Sequence, residues 1–371
     1  MTLLLVVISA IYVCLLFIIG EIFQNIKVEV DFIETTEKIA FSIVVPFRNE
    51  DQNLPNLIES IGKLNYPINL YEIIFCNDHS TDNSQHTIEK ACEKQKFNRQ
   101  FIQNSADMEG KKAAITHGVN NSRFDFIVTT DADCRLPANW LNAFNAAIQN
   151  RNVNMILGPL QYNFPSVPSI LDTYQVIENT ALIGITAVAL RNGGGFMANG
   201  ANLCFRKAVF FEVAGYSGNE NIPSGDDEFL LHKFNMHSPE KTKFLKSTDA
   251  MVQTETQHGL FALLNQRIRW ASKGRHHRNP SVLFVQFAIA FFYIALLFNL
   301  FYSGIFLGSI PLLLKVMGDM FFFTRIRSFF SLNIDLTDQL MVSLLQLFIT
   351  PVSGMLGLFG KYTWKNRVYK T

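Results

Sequence analysis

Three long, strongly apolar stretches of this 371-residue sequence contain no charged residue: residues 2–20, 281–314 and 339–360. Inside a bilayer the backbone has to satisfy its own hydrogen bonds, so stretches of this kind fold as helices. Residues 2–20 are about long enough to cross a hydrocarbon core of about 30 Å. No basic residue precedes them and no small-residue cleavage site follows. We therefore predict a membrane anchor at residues 1–24 rather than a cleaved signal peptide.

The second uncharged stretch, residues 281–314, is longer than one membrane crossing requires. Gly304, Gly308 and Pro311 are positions at which a helix can break. We expect residues 281–371 to form a membrane region of two or three helices with a basic tail. Two basic clusters compete for the cytoplasmic face, namely Lys315, Arg325 and Arg327 against Lys361, Lys365, Arg367 and Lys370.

The charges are divided unequally along the chain, although the formal net charge is only +1. From Gln257 onward there are 12 Lys and Arg against 3 Asp and Glu, which gives +9 and leaves −8 for residues 1–256. The basic half is also the membrane half, which favours anionic headgroups or a phosphorylated substrate, so we expect no nucleic-acid partner. Lys27 and Lys38 follow the first apolar stretch, and the positive-inside rule then places residues 21–280 on the cytoplasmic side of the cell membrane.

Between the membrane segments, short apolar runs alternate with helical patterns, which is typical of βαβ units and a parallel sheet. We predict buried strands at residues 41–45, ended by Pro46, at residues 71–76, and in the run that stops at Asp131. The polar residues that follow these strands are Glu50, Asp78, and the pair Asp131 and Asp133. Open α/β sheets bind ligands beyond the carboxyl ends of their strands, so these loops indicate a nucleotide-type site.

Asp131 and Asp133 stand two positions apart and can share Mg²⁺ or Mn²⁺, which prefer oxygen ligands. Such pairs also occur in exposed turns and helix caps, so the pair is no proof without the neighbouring strand ends. Gly110 and Lys111 begin a helix whose N-terminus can receive phosphate. The remaining glycine and the Ser or Thr of a P-loop are missing, which excludes a P-loop ATPase.

The alternation of short apolar runs with helical patterns ends near Gly158. Residues 168–190 have helical periodicity, and residues 191–202 are predicted to be a flexible, glycine-rich loop. Asp226, Asp227 and Glu228 precede a short helix, and an ordinary explanation is that they complement its dipole. Residues 257–280 are predicted to form an amphipathic interfacial helix with a basic collar.

Six short motifs occur in the order found in membrane-bound family 2 glycosyltransferases: residues 46–50, Asn77-Asp78, Gly110-Lys111, Asp131-Ala132-Asp133, Gly225-Asp226-Asp227 and Gln266-Arg267-Ile268-Arg269-Trp270. Each motif is weak alone, but an Asp-x-Asp, an acidic element and Gln-x-x-Arg-Trp in this order form a specific combination. Over about residues 40–278 the chain resembles the polysaccharide synthases and ceramide glucosyltransferases of that family. The resemblance implies an α/β fold of the GT-A type at residues 40–256. That fold has a Rossmann-like mixed or parallel sheet with flanking helices, and here N- and C-terminal transmembrane helices accompany it.

The resemblance also implies roles for residues on the donor side of the site. Asp78 would contact the uracil or ribose of a sugar nucleotide, with Lys111 beside the base. Pro46 and Glu50 belong to the same substrate-binding set. Asp131 and Asp133 would hold a divalent cation, Mg²⁺ or Mn²⁺, with Asp133 as the direct ligand, while Asp131 also borders the substrate.

On the acceptor side, the resemblance makes Asp227 the general base that deprotonates the acceptor hydroxyl. Asp226 stands where the family usually has Glu, which puts its supporting contact in doubt. Arg269 would approach the diphosphate, because a guanidinium pairs bidentately with phosphate. Gln266 and Trp270 would lie near the acceptor, although Trp270 as a simple anchor at the bilayer interface is an alternative.

The implied activity is inverting transfer of a hexose-type sugar from a nucleoside diphosphate sugar, with a UDP-sugar favoured, to a lipid-linked or glycan acceptor. The first alternative is a processive polysaccharide synthase. Synthases that form their own channel generally need more membrane helices than this chain offers, so that enzyme would need a partner subunit. The second alternative is a catalytically silent membrane scaffold that binds sugar nucleotides.

Overall fold

The computed structural model describes residues 1–28, 37–105, 109–149, 152–195, 197–220, 222, 224–276, 280–364 and 367–370. The chain forms two compact units. The sheet unit comprises Lys27–Tyr162 and Ala189–Glu255. The helical unit comprises Met1–Ile26, Asn163–Val188 and Thr256–Thr371.

The helices and strands alternate through most of the chain. In order, the first are α1 (Thr2–Gln24), β1 (Phe41–Phe47), α2 (Leu54–Gly62), β2 (Tyr71–Asn77), α3 (Ser84–Cys92), β3 (Asn98–Gln103), α4 (Lys111–Asn121), β4 (Phe126–Thr129) and α5 (Trp140–Gln149). They continue with β5 (Met155–Leu157), β6 (Leu160–Asn163), α6 (Ile170–Arg191), β7 (Leu203–Arg206), α7 (Lys207–Glu212), α8 (Asp226–His237), β8 (Thr242–Phe244), β9 (Val252–Glu255), α9 (Gly259–Ser272), α10 (Pro280–Tyr302), α11 (Gly304–Ile326), α12 (Leu336–Phe359), β10 (Lys361–Trp364) and β11 (Arg367–Lys370).

The sheet unit is built on a seven-stranded sheet with the order β3-β2-β1-β4-β7-β5-β8. Neighbours from β3 to β4 are parallel, β7 is antiparallel to β4 and β5, and β8 is parallel to β5. Every residue of β1 and β2 is buried, because parallel strands covered on both faces are apolar throughout. The predicted α/β fold with a mixed sheet is confirmed.

Pro46 does not end the first strand as predicted, since β1 continues to Phe47. The Thr130 N–H donates to the Val44 carbonyl at 3.3 Å. The backbone groups of alternate residues in a strand point toward the same neighbouring strand. The backbone nitrogen of Pro46, two residues after Val44, therefore also points toward β4. The pairing of β4 with β1 stops at Thr129, so the missing N–H of Pro46 breaks no bond of the ladder.

Strand β3 carries no apolar run and is not expected from the sequence pattern. Its six residues, Asn-Arg-Gln-Phe-Ile-Gln, are mostly exposed, because β3 is an edge strand of the sheet. An edge strand can keep polar side chains and still pair through its backbone. Strand β3 leads the chain toward Gly110 at the start of α4.

In the helical unit, α1 and α11 run side by side in the same direction. The Tyr12 hydroxyl donates to Asp319 Oδ1 at 2.6 Å, and further along both helices Arg325 Nη2 lies 2.7 Å from Glu21 Oε1. The end of α1 that leads to Lys27 and the end of α11 that carries Arg325 are therefore the same end of this pair.

The long uncharged stretch is divided as predicted, but at one position only. Helix α10 ends at Tyr302 and α11 begins at Gly304, whose φ of +73° favours glycine. Gly308 and Pro311 lie inside α11. Among the described residues, α1, α11 and α12 are long and apolar enough to cross a membrane.

Lys315 does not belong to a basic cluster at a helix end, contrary to the prediction. It is fully buried, and its Nζ lies 2.6 Å from Asp319 Oδ2. The same ammonium donates to Ser343 Oγ and to Gln346 Oε1, both at 3.0 Å. A charge among apolar helices is expected to be paired in this way, and the network ties α11 to α12.

Candidate active site

The carboxyl ends of β1, β2 and β4 lie at one edge of the sheet, as the sequence predicted. Asp78 follows β2 and is buried, and its Oδ1 accepts the N–H of Gly110 at 2.8 Å. Gly110 has a φ of +98°, which favours glycine, and it caps α4. This hydrogen bond holds Lys111, the next residue, at the edge where Asp131 and Asp133 follow β4.

Lys111 joins two acidic elements that are distant in sequence. Its Nζ lies 2.7 Å from Asp131 Oδ1 and 3.0 Å from Asp226 Oδ2. Burial alone would lower the pKa of Lys111, but the carboxylates of Asp131, Asp226 and Asp227 outweigh burial and raise this pKa well above its ordinary value. Lys111 is therefore a cation at neutral pH. The ion pair with Lys111 is also the supporting contact of Asp226 that the sequence left in doubt.

Asp227 is held by backbone donors at the start of α8. Its Oδ1 accepts the N–H of Glu228 at 2.8 Å, and its Oδ2 accepts the N–H of Gly200 at 3.3 Å. The carbonyl of Gly200 in turn accepts the Thr129 hydroxyl at 2.7 Å. Asp227 is thus connected, through one turn of backbone, to the end of β4, which Asp131 follows.

The turn Gly200–Asn202 differs from the flexible loop predicted for residues 191–202. It is a buried 3₁₀ turn, and Asn202 is fully buried. The Asn202 side chain accepts from Trp140 Nε1 at 2.9 Å and donates to the carbonyls of Pro159 and Ala250, both at 2.7 Å. These bonds satisfy the buried amide and fix the turn that contacts Asp227. The sequence shows an Asn-Gly-Ala-Asn cluster here, but such clusters are typical of loops in general.

Two further buried residues, Lys112 and Tyr216, were not predicted from the sequence. The buried Lys112 ammonium donates to the carbonyls of Asn219 and Ile222, at 2.8 Å and 2.9 Å, in the segment that leads to α8. Tyr216 is also buried, and burial followed by the charge of Asp226 raises its pKa. Neither residue has a spacing that distinguishes it from an ordinary Lys or Tyr.

Glu50 lies in the loop between β1 and α2. Its Oε2 accepts from Asn53 Nδ2 and its N–H donates to Ser84 Oγ, each at 2.7 Å. The Glu50 side chain is buried, so it helps to shape the loop that follows β1. Pro46, inside β1, is buried as well.

The carboxylates after β4 suit a hard divalent cation. Asp131 is one-third exposed and Asp133 is exposed, so both can be reached by a ligand. Lys111 already places one positive charge against Asp131. Within the described residues, no group of three or more His, Cys, Asp or Glu is arranged to hold a metal ion. Mg²⁺ or Mn²⁺ bound here would need further oxygen ligands, which water commonly supplies to these ions.

The remaining predicted residues, Gln266, Arg269 and Trp270, lie on α9 in the helical unit. Arg267, which was not predicted to be a site residue, connects two of them. It is buried, its Nε donates to Glu178 Oε2 at 2.6 Å, and its Nη1 donates to Gln266 Oε1. Its guanidinium carbon lies 4.3 Å from the centre of a Trp270 ring, within the range of a cation–π contact. Arg267 therefore holds Gln266 and Trp270 in place.

Comparisons with known proteins agree with this architecture. Residues 42–213 match the family model described as Glycosyl transferase family 2. The glycosyltransferase AglE of Haloferax volcanii is 22% identical over 185 residues, which cover 50% of this chain and 58% of that protein. The poly-β-1,6-N-acetyl-D-glucosamine synthase of Staphylococcus aureus is 24% identical over 274 residues, which cover 71% of this chain and 63% of that protein. The chain thus spans about three-fifths of the length of these relatives.

Among solved structures, a mannosyltransferase from Pyrobaculum calidifontis, in complex with GDP-Man and Mn²⁺, has a similar fold. The TM-score is 0.58 at 14% sequence identity, and the match covers 95% of this chain and 97% of that one. At this identity the likeness concerns the fold. Residues 42–213 are therefore similar in sequence to the family 2 glycosyltransferases, and the chain shares the fold of that mannosyltransferase.

Proposed function

We propose that the chain is a membrane-bound, inverting enzyme that transfers a sugar from a nucleoside diphosphate sugar, with a UDP-sugar favoured, to a lipid-linked or glycan acceptor. One observation carries the proposal: Lys111 brings Asp131 together with Asp226 and its neighbour Asp227 at the ligand-binding edge of the sheet. A single displacement requires a base for the acceptor hydroxyl and a way to stabilise the leaving group. Asp227 suits the first role, and Asp131 and Asp133 with a bound cation suit the second.

On the acceptor side, Asp227 takes the proton of the acceptor hydroxyl while the hydroxyl oxygen attacks the anomeric carbon. The bond from that carbon to the diphosphate breaks, the nucleoside diphosphate leaves, and the configuration inverts. The N–H groups of Glu228 and Gly200 hold the Asp227 carboxylate in one orientation. This preorganisation lowers the entropy that is lost when the acceptor is aligned.

On the donor side, we place Lys111 next to the leaving diphosphate rather than beside the base, because its ammonium lies 2.7 Å from Asp131 Oδ1. There it supplies a fixed positive charge to the leaving group. Asp131 and Asp133 would hold Mg²⁺ or Mn²⁺, which as a Lewis acid offsets the charge that develops on the leaving group. Asp78, buried after β2, would contact the nucleoside, and Pro46 and Glu50 would shape the loop beside it.

From the helical unit, the resemblance assigns Arg269 to the diphosphate, and Gln266 and Trp270 to the acceptor side. The Arg267 contacts with Gln266 and Trp270 support a fixed arrangement of this helix.

We also propose that residues 21–280 face the cytoplasm. Lys27 follows α1, and Arg325 and Arg327 lie at the end of α11 that adjoins the same end of α1. Basic residues from two helices at one end favour the cytoplasmic side for that end.

A second candidate is a processive polysaccharide synthase that works with a partner subunit. The relative that matches the larger share of this chain is named a poly-β-1,6-N-acetyl-D-glucosamine synthase, which favours this candidate. The two candidates share the chemistry of each transfer and differ in the length of the product.

The proposal is tested with sealed membrane vesicles and a panel of UDP- and GDP-sugars. Inside-out vesicles are expected to release nucleoside diphosphate and to incorporate labelled sugar, and right-side-out vesicles are expected to do neither. EDTA should abolish the activity, and Mg²⁺ or Mn²⁺ should restore it. Product length on a gel separates single transfer from polymerisation. Folded protein that binds donors without any turnover would contradict the proposal and favour a scaffold.

Gly200→Ala is expected to lower sugar transfer at least about tenfold with little change in thermal stability. A Cβ at this position would lie 2.7 Å from Asp226 Oδ2 and 3.1 Å from Lys111 Nζ. These atoms are the ends of flexible side chains, so they can move, but the ion pair that aligns the site is then disturbed. Gly194→Ala is the matched control, because its Cβ would meet only Ala189 O, at 3.4 Å. Equal transfer rates for the two variants would contradict the expectation.

A further inference from the structure

The hairpin formed by β10 and β11 is docked on α9 within the helical unit. The Asn265 side chain on α9 binds both backbone groups of Thr363: its Nδ2 donates to the carbonyl at 2.5 Å and its Oδ1 accepts the N–H at 2.9 Å. An amide side chain here takes the place of a neighbouring strand. The hairpin is therefore held at a defined position along α9.

The hairpin is itself a packed element rather than a free basic tail. Its strands pair in antiparallel register, Tyr362 with Tyr369 and Trp364 with Arg367. The Tyr362 and Tyr369 rings stack with their centres 5.4 Å apart, and Tyr362 is buried. The position of Trp364 is thus set by contacts on the neighbouring residues.

Trp364 meets the arginine of the Gln-x-x-Arg-Trp motif. Asn265 and Arg269 are four residues apart on α9 and so share a face of the helix. The guanidinium carbon of Arg269 lies 5.7 Å from the centre of a Trp364 ring, within the range of a cation–π contact. A guanidinium is planar, so its face can rest on an aromatic ring while its N–H edge donates hydrogen bonds.

We propose that Trp364 is a positioning residue for sugar transfer: its ring holds the Arg269 guanidinium in the orientation that binds the donor diphosphate. This inference rests on the proposed function, in which Arg269 contacts that diphosphate. An arginine side chain loses much rotamer freedom when it is fixed by a ligand. A ring that holds the side chain before the donor binds reduces this loss and therefore raises the affinity for the donor.

The test compares donor KM, kcat and the Kd of the free nucleoside diphosphate for Trp364→Leu, Trp364→Tyr and wild type. Trp364→Leu should raise donor KM and nucleotide Kd about threefold to tenfold, with kcat within about twofold of wild type. Trp364→Tyr keeps an aromatic face and should recover most of the affinity. Val368→Ala, an exposed position on the other strand of the hairpin, is the matched control and should behave as wild type.

Arg269→Ala provides the background that separates this inference from the proposed function. If Trp364 acts through Arg269, Trp364→Leu should add nothing to the effect of Arg269→Ala. A wild-type donor KM for Trp364→Leu, beside a raised KM for Arg269→Ala, would overturn the inference and leave the proposed function standing. If Trp364→Leu lowered kcat and thermal stability but left donor KM unchanged, the hairpin would have only a structural role. That result would also overturn the inference. Absence of any nucleotide binding or transfer by the wild type would overturn the proposed function itself.

Discussion

Asp227→Asn is expected to lower kcat for sugar transfer by about 10³-fold while donor KM stays within about twofold. General-base catalysis contributes typically about 10²- to 10⁴-fold, and an amide cannot accept the acceptor proton. Asn has nearly the same shape as Asp, and its carbonyl oxygen can still accept one of the N–H bonds now made by Glu228 and Gly200. Steady-state rates at saturating acceptor, with a separate nucleotide-binding measurement, check both parts of the expectation.

Asp125→Asn is the matched control for this variant. Asp125 is an exposed acid at the other end of β4, away from the edge that carries Asp131, and its replacement should leave the rate unchanged. Full transfer activity in Asp227→Asn would show that another group is the base. Asp226→Asn measured alongside would reveal whether that group is the neighbouring acid.

Lys111→Met is expected to reduce both stability and transfer. Met has a similar length but no charge, so Asp131 and Asp226 would lose the cation that lies between them. Removal of one partner from a buried ion pair costs about 3–5 kcal/mol. The Lys111 side chain is 19% exposed and that of Asp131 is 33% exposed, so we expect about 2 kcal/mol because solvent screens part of the interaction. Transfer should fall at least about a hundredfold because the same charge faces the leaving diphosphate.

The pH dependence of this stability difference has a defined sign. The folded-state pKa of Lys111 is raised, so the stability that its charge contributes is fully present below the unfolded-state pKa, which is about 10.4. That stability is lost only as the pH rises through the higher folded-state pKa. The difference in Tm between wild type and Lys111→Met should therefore stay constant from about pH 7 to pH 9.

Lys63→Met is the control for removal of a lysine charge. Lys63 forms an ion pair with Glu59 on the surface of α2, and its side chain is 68% exposed. Exposed pairs contribute little, so this variant should have the Tm of wild type. If Lys111→Met unfolded at the same temperature as Lys63→Met, the Lys111 bridge would not stabilise the site.

The sheet strands that the sequence predicted are those with strong local signals. Strands β1, β2 and β4 are apolar runs ended by polar residues, and the structure places their carboxyl ends together. Strand β3 was missed because an edge strand needs no apolar run. Strand β7 was missed because it is placed by its pairing with β4 and β5, which are not its neighbours in sequence.

The candidate site likewise contains some residues that the sequence indicates and others that only the structure reveals. The strand-end acids, Lys111 at a helix start and the acids before α8 are recognisable from motifs and spacing. The contacts of Gly200 and Asn202 are not, because an Asn-Gly-Ala-Asn cluster predicts only a loop. The partnership of Arg267 with Glu178 was missed for a related reason: it joins α9 to α6, and no spacing in either helix indicates the other.

The sequence by itself determined that apolar helices accompany an α/β domain and that acids and a lysine stand where strands end and helices begin. These are properties of neighbouring residues, set by hydrophobic periodicity and by the length of uncharged stretches. Only the tertiary structure decided that Lys111 binds both Asp131 and Asp226, that Lys315 is buried against Asp319, and that Trp364 meets Arg269. The physical reason is that a charge selects its partner by distance and burial, and these are known only when separate segments have packed together.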